Sequence, residues 1–245
     1  MQERIIFVPT LPSDAFMSKI PFELEEFYID GDQEGKIHSI LVKARQPRGL
    51  IFYLHGNTGS IKRWQFMAGE LADFGFDVFV MDYRGYGQSR GIRSEDLIHS
   101  DVARAFDFIK LRYQGSPIVI YGRSLGSGFA TKLASQRDAR ALILETPYFN
   151  LIDVARRYMP ILPIRLLLRY QLRSDKYINQ VSFPVHIFHG TKDKVVPYSS
   201  ALKLYRKAQN KALVEMTTVV GGKHSNLNSF PLFREKLKSA LDQLV

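Results

Sequence analysis

A chain of 245 residues, 45% hydrophobic and 24% charged, has an ordinary globular composition and is long enough for one α/β domain or two small ones. It has no cysteine, which excludes disulfides, thiolate nucleophiles and thiolate metal sites together. The formal charge of +10 suits an anionic surface, acidic lipid or nucleic acid, or serves solubility alone; without a zinc-finger or RNP-type pattern, nucleic acid is the weak candidate.

Residues 1–24 are irregular and punctuated by Pro9, Pro12 and Pro21. The start carries too short an apolar run for a signal peptide, and no stretch approaches the roughly 18 apolar residues of a membrane span. The chain therefore reads as soluble. Phe27 to Ile29 and Ile37 to Val42 predict two strands joined by the polar turn Asp30 to Gly35. Leu50 to Leu54 is continuously apolar and predicts a strand buried on both faces. It ends at His55-Gly56-Asn57 and leads to a helix over about Arg63 to Phe74, with Trp64, Met67, Ala68 and Leu71 at helical spacing. A strand at Val78 to Met81, a Gly-rich loop from Asp82 to Gly91, and a helix over Ser94 to Arg112 repeat the rhythm. Leu97, Val102, Ala105, Phe106 and Ile109 are the inner face expected of that helix.

The next unit is Pro117 to Ile120, a short β-branched run, followed by Gly122-Arg123-Ser124-Leu125-Gly126 and a helix through Phe129 to Ala134. A Gly-x-Ser-x-Gly between strand and helix is the pattern of a nucleophile elbow, which lifts the central hydroxyl over a helix N-terminus. Strands follow at Ala141 to Leu144 and Val185 to Phe188, then a helix near Ser199 to Lys207, a strand at Met216 to Val220 and a closing helix from Leu232 to Leu244. Alternation of this kind predicts a mostly parallel sheet covered on both faces. Residues 146–182 break the rhythm. They are too long for a plain loop and predict a short helical lid. Its apolar residues (Met159, Ile161, Leu162, Ile164, Leu166, Leu167, Leu168) are interleaved with Arg156, Arg157, Arg165, Arg169 and Arg173. They either cap the core or cover an acyl pocket while the arginines rest on anionic lipid.

A serine hydroxyl needs a base, usually histidine. His38, His99 and His186 lie inside predicted elements, and His55 and His189 end strands where supporting roles fit better. His224, in a Gly-opened loop after the last strand, is the candidate base. Asp193, just past a buried strand, is the candidate acid, with Glu145 as its rival. The order Ser124, Asp193, His224 is that of α/β-hydrolases. Backbone N–H groups of Leu125 and Asn57 are the candidate oxyanion donors. His186 and His189 point to opposite faces of a strand and no His-Glu-x-x-His occurs, so no metal site is implied. No organic cofactor is implied either.

His55-Gly56-Asn57, Asp82-Tyr83-Arg84-Gly85-Tyr86-Gly87-x-Ser89, Gly122 to Gly126, Gly190-Thr191-Lys192-Asp193-x-Val195-Val196-Pro197 and His224 occur in order. Together they resemble the α/β-hydrolase superfamily in its Bem46-like, serine aminopeptidase S33-like branch, which holds relatives of the ABHD13 and ABHD17 hydrolases. The resemblance spans nearly the whole chain. It implies one α/β-hydrolase domain over residues 1–245, a Ser124, Asp193, His224 triad, and an oxyanion hole at Asn57 and Leu125. The expected reaction is hydrolysis of a small-molecule ester or acyl thioester. The alternatives are an S33-type peptidase and a non-catalytic membrane- or nucleic-acid-binding protein that keeps the fold. Relatives often carry an N-terminal membrane anchor; none is visible here, and a cytoplasmic or membrane-associated location is expected.

Overall fold

The computed structural model describes residues 2–10, 19–209 and 213–244. Residues 11–18 of the Pro-rich start, Pro12 among them, lie outside the described residues. The chain forms two compact units, Met1–Val119 and Ile120–Val245.

The first unit runs α1 (Glu3–Ile6), β1 (Val8–Pro9), β2 (Leu24–Asp30), β3 (Lys36–Val42), β4 (Leu50–Leu54), β5 (Thr58–Gly59), α2 (Ile61–Ala72), β6 (Asp77–Met81) and α3 (Glu95–Lys110). Its main strands are ordered β4-β6-β3-β2. β4 and β6 are parallel, while β3 runs antiparallel to both β6 and β2. Every residue of β4 and β6 is buried, as continuous apolar runs demand. Phe52 of β4 stacks on Phe79 of β6 at 5.6 Å and meets the edge of Phe106 from α3 at 5.3 Å. α2 and α3 start where side chains satisfy orphan N–H groups. The Ser94 hydroxyl accepts from Leu97 N–H at 3.2 Å to begin α3, and the Asp82 carboxylate accepts from Ile61 N–H at 2.9 Å to begin α2. The inner face of α3 is Ile98, Asp101, Val102, Ala105, Phe106 and Ile109. Ile98 therefore takes the place expected of Leu97, and the face turns far enough to bury Asp101 beside Arg84. β1 pairs in parallel with β5, so the N-terminal segment lies along the loop that follows β4.

β7 (Ile118–Arg123) carries the chain into the second unit, which continues with α4 (Leu125–Ala134), β8 (Ala141–Glu145), α5 (Leu151–Tyr158), α6 (Ile164–Leu167), α7 (Ser174–Tyr177), β9 (Val185–Gly190), α8 (Tyr198–Ala208), β10 (Val214–Val219) and α9 (Pro231–Asp242). Its strand order is β10-β9-β8-β7, with β8, β9 and β10 parallel. β7, β8 and β9 are buried throughout, and β10, the edge strand, only partly. The result is the expected α/β architecture, a mostly parallel central sheet flanked by helices.

Between β8 and β9 the chain forms α5, α6, α7 and a 3₁₀ turn at Ile178–Gln180. Ile164 is buried here and Leu168 half-buried, but Met159, Ile161, Leu162, Leu166 and Leu167 are exposed. Most of this apolar set does not cap the core.

Candidate active site

Ser124 joins β7 to α4 with φ 50° and ψ −116°, a left-handed conformation that an L residue adopts only under constraint. Three hydrogen bonds impose it. Ser124 N–H donates to the Glu145 carbonyl at 2.9 Å, and the Ser124 carbonyl accepts from Ser127 N–H at 2.9 Å and from the Ser127 hydroxyl at 2.6 Å. The turn is tight enough to demand glycine at 122. A Cβ there would lie 2.5 Å from Ala130 Cβ and 2.7 Å from the Gly126 carbonyl oxygen. Gly128 gives room to the Tyr148 hydroxyl, which donates to the Leu125 carbonyl at 2.9 Å. Leu125 is the first residue of α4, so its own N–H is one of the helix's orphan donors.

His224 Nε2 stands 2.8 Å from Ser124 Oγ, and its Nδ1 stands 2.8 Å from Asp193 Oδ2. A carboxylate only accepts, so Nδ1 carries the proton and Nε2 is left bare toward the serine hydroxyl. Asp193 is completely tied. Its Oδ1 accepts from Val195 N–H at 2.8 Å and Val196 N–H at 2.9 Å, and its Oδ2 also faces His189 Nε2 at 3.2 Å. Burial pushes this carboxyl up, but hydrogen bonds from His189, His224 and the Val196 N–H outweigh it and hold the group well below the usual carboxylate range. Asp193 is thus a fixed negative charge beneath the imidazole.

The loops that carry Asp193 and His224 are laced together. Thr191 N–H donates to the Val219 carbonyl at 3.1 Å, Lys192 N–H to the Gly222 carbonyl at 2.9 Å, and Gly221 N–H to the Thr191 hydroxyl at 2.9 Å. Asn226 Oδ1 accepts from Lys223 N–H at 2.7 Å, closing the turn around His224. Gly190 and Gly222 allow this: a Cβ on Gly190 would run into the Gly222 backbone. The rival acid Glu145 is otherwise engaged, accepting from the Tyr121 hydroxyl at 2.8 Å and facing Arg123 Nε at 3.3 Å.

Asn57 lies in the first unit, in the loop between β4 and β5. Its carbonyl accepts from Val8 N–H at 2.8 Å and from the Tyr86 hydroxyl at 2.7 Å. The Tyr83 hydroxyl likewise donates to the His55 carbonyl at 2.8 Å. Two residues that sequence reasoning left in supporting roles stand out. His189 shares Asp193 with His224, and His55 packs 4.3 Å from the Tyr83 ring, with Nε2 3.3 Å from Asp82 Oδ1. His55 follows β4 and His189 lies near the end of β9, each just before a glycine, a signal that marks them without giving their partners.

The family model described as "Serine aminopeptidase, S33" matches residues 45–173, just over half of the chain. The chain belongs to this family of α/β hydrolases. Similar curated proteins include the lysophosphatidylserine lipase ABHD12 of Danio rerio, 35% identical over 190 residues that make up 67% of this chain and 48% of the relative. Alpha/beta hydrolase domain-containing protein 17C of Mus musculus is 29% identical over 219 residues, 88% of this chain and 67% of the relative. The chain spans about half the length of the ABHD12 relatives it matches. Among solved structures, the esterase Pf2001 of Pyrococcus furiosus superposes with a TM-score of 0.74 at 19% identity, covering 96% of this chain and 97% of the esterase. Est1E of Butyrivibrio proteoclasticus gives 0.71 at 20% identity, covering 89% and 98%. The S33-type, ABHD-related assignment and the α/β-hydrolase fold both agree with the sequence motifs.

Proposed function

We propose that the chain is a serine hydrolase that cleaves carboxylic esters or acyl thioesters through an acyl-enzyme, in one domain over residues 1–245 with residues 146–182 as its lid. The observation that carries this reading is the pair of 2.8 Å contacts that link Ser124 Oγ through His224 to Asp193. Ser124 Oγ attacks the substrate carbonyl and passes its proton to His224 Nε2. Asp193, held ionised, stabilises the imidazolium and keeps its tautomer. The N–H groups of Leu125 and Asn57 receive the oxyanion, and the α4 dipole favours its charge. His224 then protonates the departing alkoxide or thiolate, and water repeats the sequence on the acyl-enzyme.

Ester chemistry is further supported by the ABHD12 relative, which is named a lipase, and by solved neighbours named esterases. The family description favours the second reading, an aminopeptidase. One panel separates them. A fluorophosphonate probe should label the protein and spare Ser124→Ala, and esters or thioesters of varied acyl length should turn over while aminoacyl amides do not. Preference for amides would select the peptidase, and neither labelling nor turnover would leave a binding protein.

A further inference from the structure

We infer that the exposed face of the segment between β8 and β9 docks on an anionic lipid bilayer. Tyr158 (57% exposed), Met159 (41%), Ile161 (95%), Leu162 (48%), Leu166 (85%) and Leu167 (49%) fall within ten consecutive residues. Scattered exposed apolar residues are ordinary, but a contiguous set of this size marks a contact surface. Pro160 and Pro163 separate α5 from α6, so the most exposed residue, Ile161, sits on a turn rather than on a helix face.

Charge decides what covers this face. From Val154 to Ser174 there is no Asp or Glu, and there are five arginines. The acids nearest in sequence are already committed. Asp175 holds Arg173 through contacts of 2.8 and 2.7 Å, and Asp153 accepts from the Ser200 hydroxyl at 2.6 Å and pairs with Lys203. Arg156, Arg157 and Arg165 are exposed and have no acidic partner among the described residues. A second copy seated on this face about a two-fold axis would bring the same arginines against each other, which disfavours self-association. A bilayer takes both features at once. The aliphatic side chains enter the boundary of headgroups and acyl chains, and the guanidinium groups stay at the phosphate level with their stems along apolar surface. Anionic headgroups supply the missing countercharge.

Co-sedimentation with vesicles of phosphatidylcholine alone, and of phosphatidylcholine mixed with phosphatidylserine, tests this. The protein should pellet with the mixed vesicles at low salt and release at high salt, because the screening length shrinks from about 10 Å at 0.1 M to about 3 Å at 1 M. The triple variant Arg156→Gln, Arg157→Gln, Arg165→Gln should lose about fivefold in partitioning per arginine, on the order of a hundredfold together. The double variant Ile161→Asp, Leu166→Asp should lose at least tenfold, with unchanged circular dichroism and thermal midpoint as the control for folding. Since the chain has no cysteine, Ile161→Cys can carry a single polarity-sensitive dye. Its emission should shift to the blue with mixed vesicles. Equal binding to neutral vesicles, full binding by the double variant, or an unshifted dye on bound protein overturns the proposal. So does concentration-dependent self-association that the same substitutions abolish without any vesicle binding. Each assay reads binding alone and can be run on Ser124→Ala, so its outcome is separate from the hydrolase reading.

Discussion

Ser124 holds its left-handed backbone against a cost of about 1–3 kcal/mol, balanced by the bonds from Ser127 and to Glu145. Glycine at that position would carry no such cost. Ser124→Gly should therefore abolish turnover yet raise the thermal midpoint, by about 2–4 °C for each kcal/mol relieved in a chain of this size. A lowered midpoint in calorimetry would show that the elbow is not strained. The two acids differ as sharply. Asp193→Asn should reduce turnover by roughly 10⁴, because Nδ1 of His224 loses the partner that fixes its tautomer. Glu145→Gln, whose carboxyl faces Tyr121 and Arg123 instead, should cost at most a few-fold. Kinetics with the reverse ranking would move the acid to β8. Asp193 also sets an acid limit. Its folded pKa lies below the unfolded value of about 3.9, so the stability it contributes is fully present above that value and is lost as pH falls toward the folded one. The thermal midpoint of Asp193→Asn should accordingly fall less steeply than wild type below about pH 4.

Along the loop from Asp82 to Ser89 nearly every side chain holds backbone in place. Asp82 caps α2, Tyr83 and Tyr86 donate to the His55 and Asn57 carbonyls, and the Ser89 hydroxyl donates to the Asp82 carbonyl at 2.8 Å while accepting from His38 N–H at 2.9 Å. Arg84 is fully buried and binds Asp101 of α3 through contacts of 2.5 and 2.8 Å. The hydrogen-bonded Asp101 raises the guanidinium further above its ordinary pKa. Breaking such a pair strands a buried charge, so Asp101→Ala should destabilise the protein by about 3–5 kcal/mol in denaturant titration. Arg84→Met combined with Asp101→Leu should recover much of that loss. Tyr86 holds the Asn57 loop instead. Burial pushes its hydroxyl up, keeping it neutral and a donor to the Asn57 carbonyl. If Asn57 N–H receives the oxyanion, Tyr86→Phe should lower kcat several-fold and leave KM near wild type. A change confined to KM would place Asn57 in substrate binding. In the sequence this loop was only a motif with a family likeness, because hydrogen bonds to carbonyls 28 and 29 residues away leave no trace in local spacing.

The sheet was legible because continuous apolar runs such as Leu50 to Leu54 and Ala141 to Leu144, each bounded by turn residues and recurring between helical patterns, fit strands buried on both faces. That the side chains of Ser124, Asp193 and His224 would meet was legible because each follows a strand, and the three occur in an order characteristic of the fold. His189 beside Asp193 was not, since a strand-ending histidine before glycine looks the same whichever way its ring turns. Nor was the exposure of Met159, Ile161, Leu162, Leu166 and Leu167, because apolar spacing does not record whether anything covers it. Beyond the arginines of the lid, the placement of the +10 charge around the candidate site adds a consequence. Lys192, Lys194 and Lys223 are exposed and immediately flank Asp193 and His224. Cations at the rim of a site raise the local concentration of anionic substrate and its rate of arrival, and salt removes the effect. For an ester bearing a phosphate group, kcat/KM should fall roughly tenfold from low to high salt, whereas a neutral ester of the same acyl chain should change little. Replacing the three lysines with glutamine should lower the low-salt value for the anionic ester and flatten its salt dependence. If both esters respond to salt alike, the lysines serve solubility and the charge does not steer substrate.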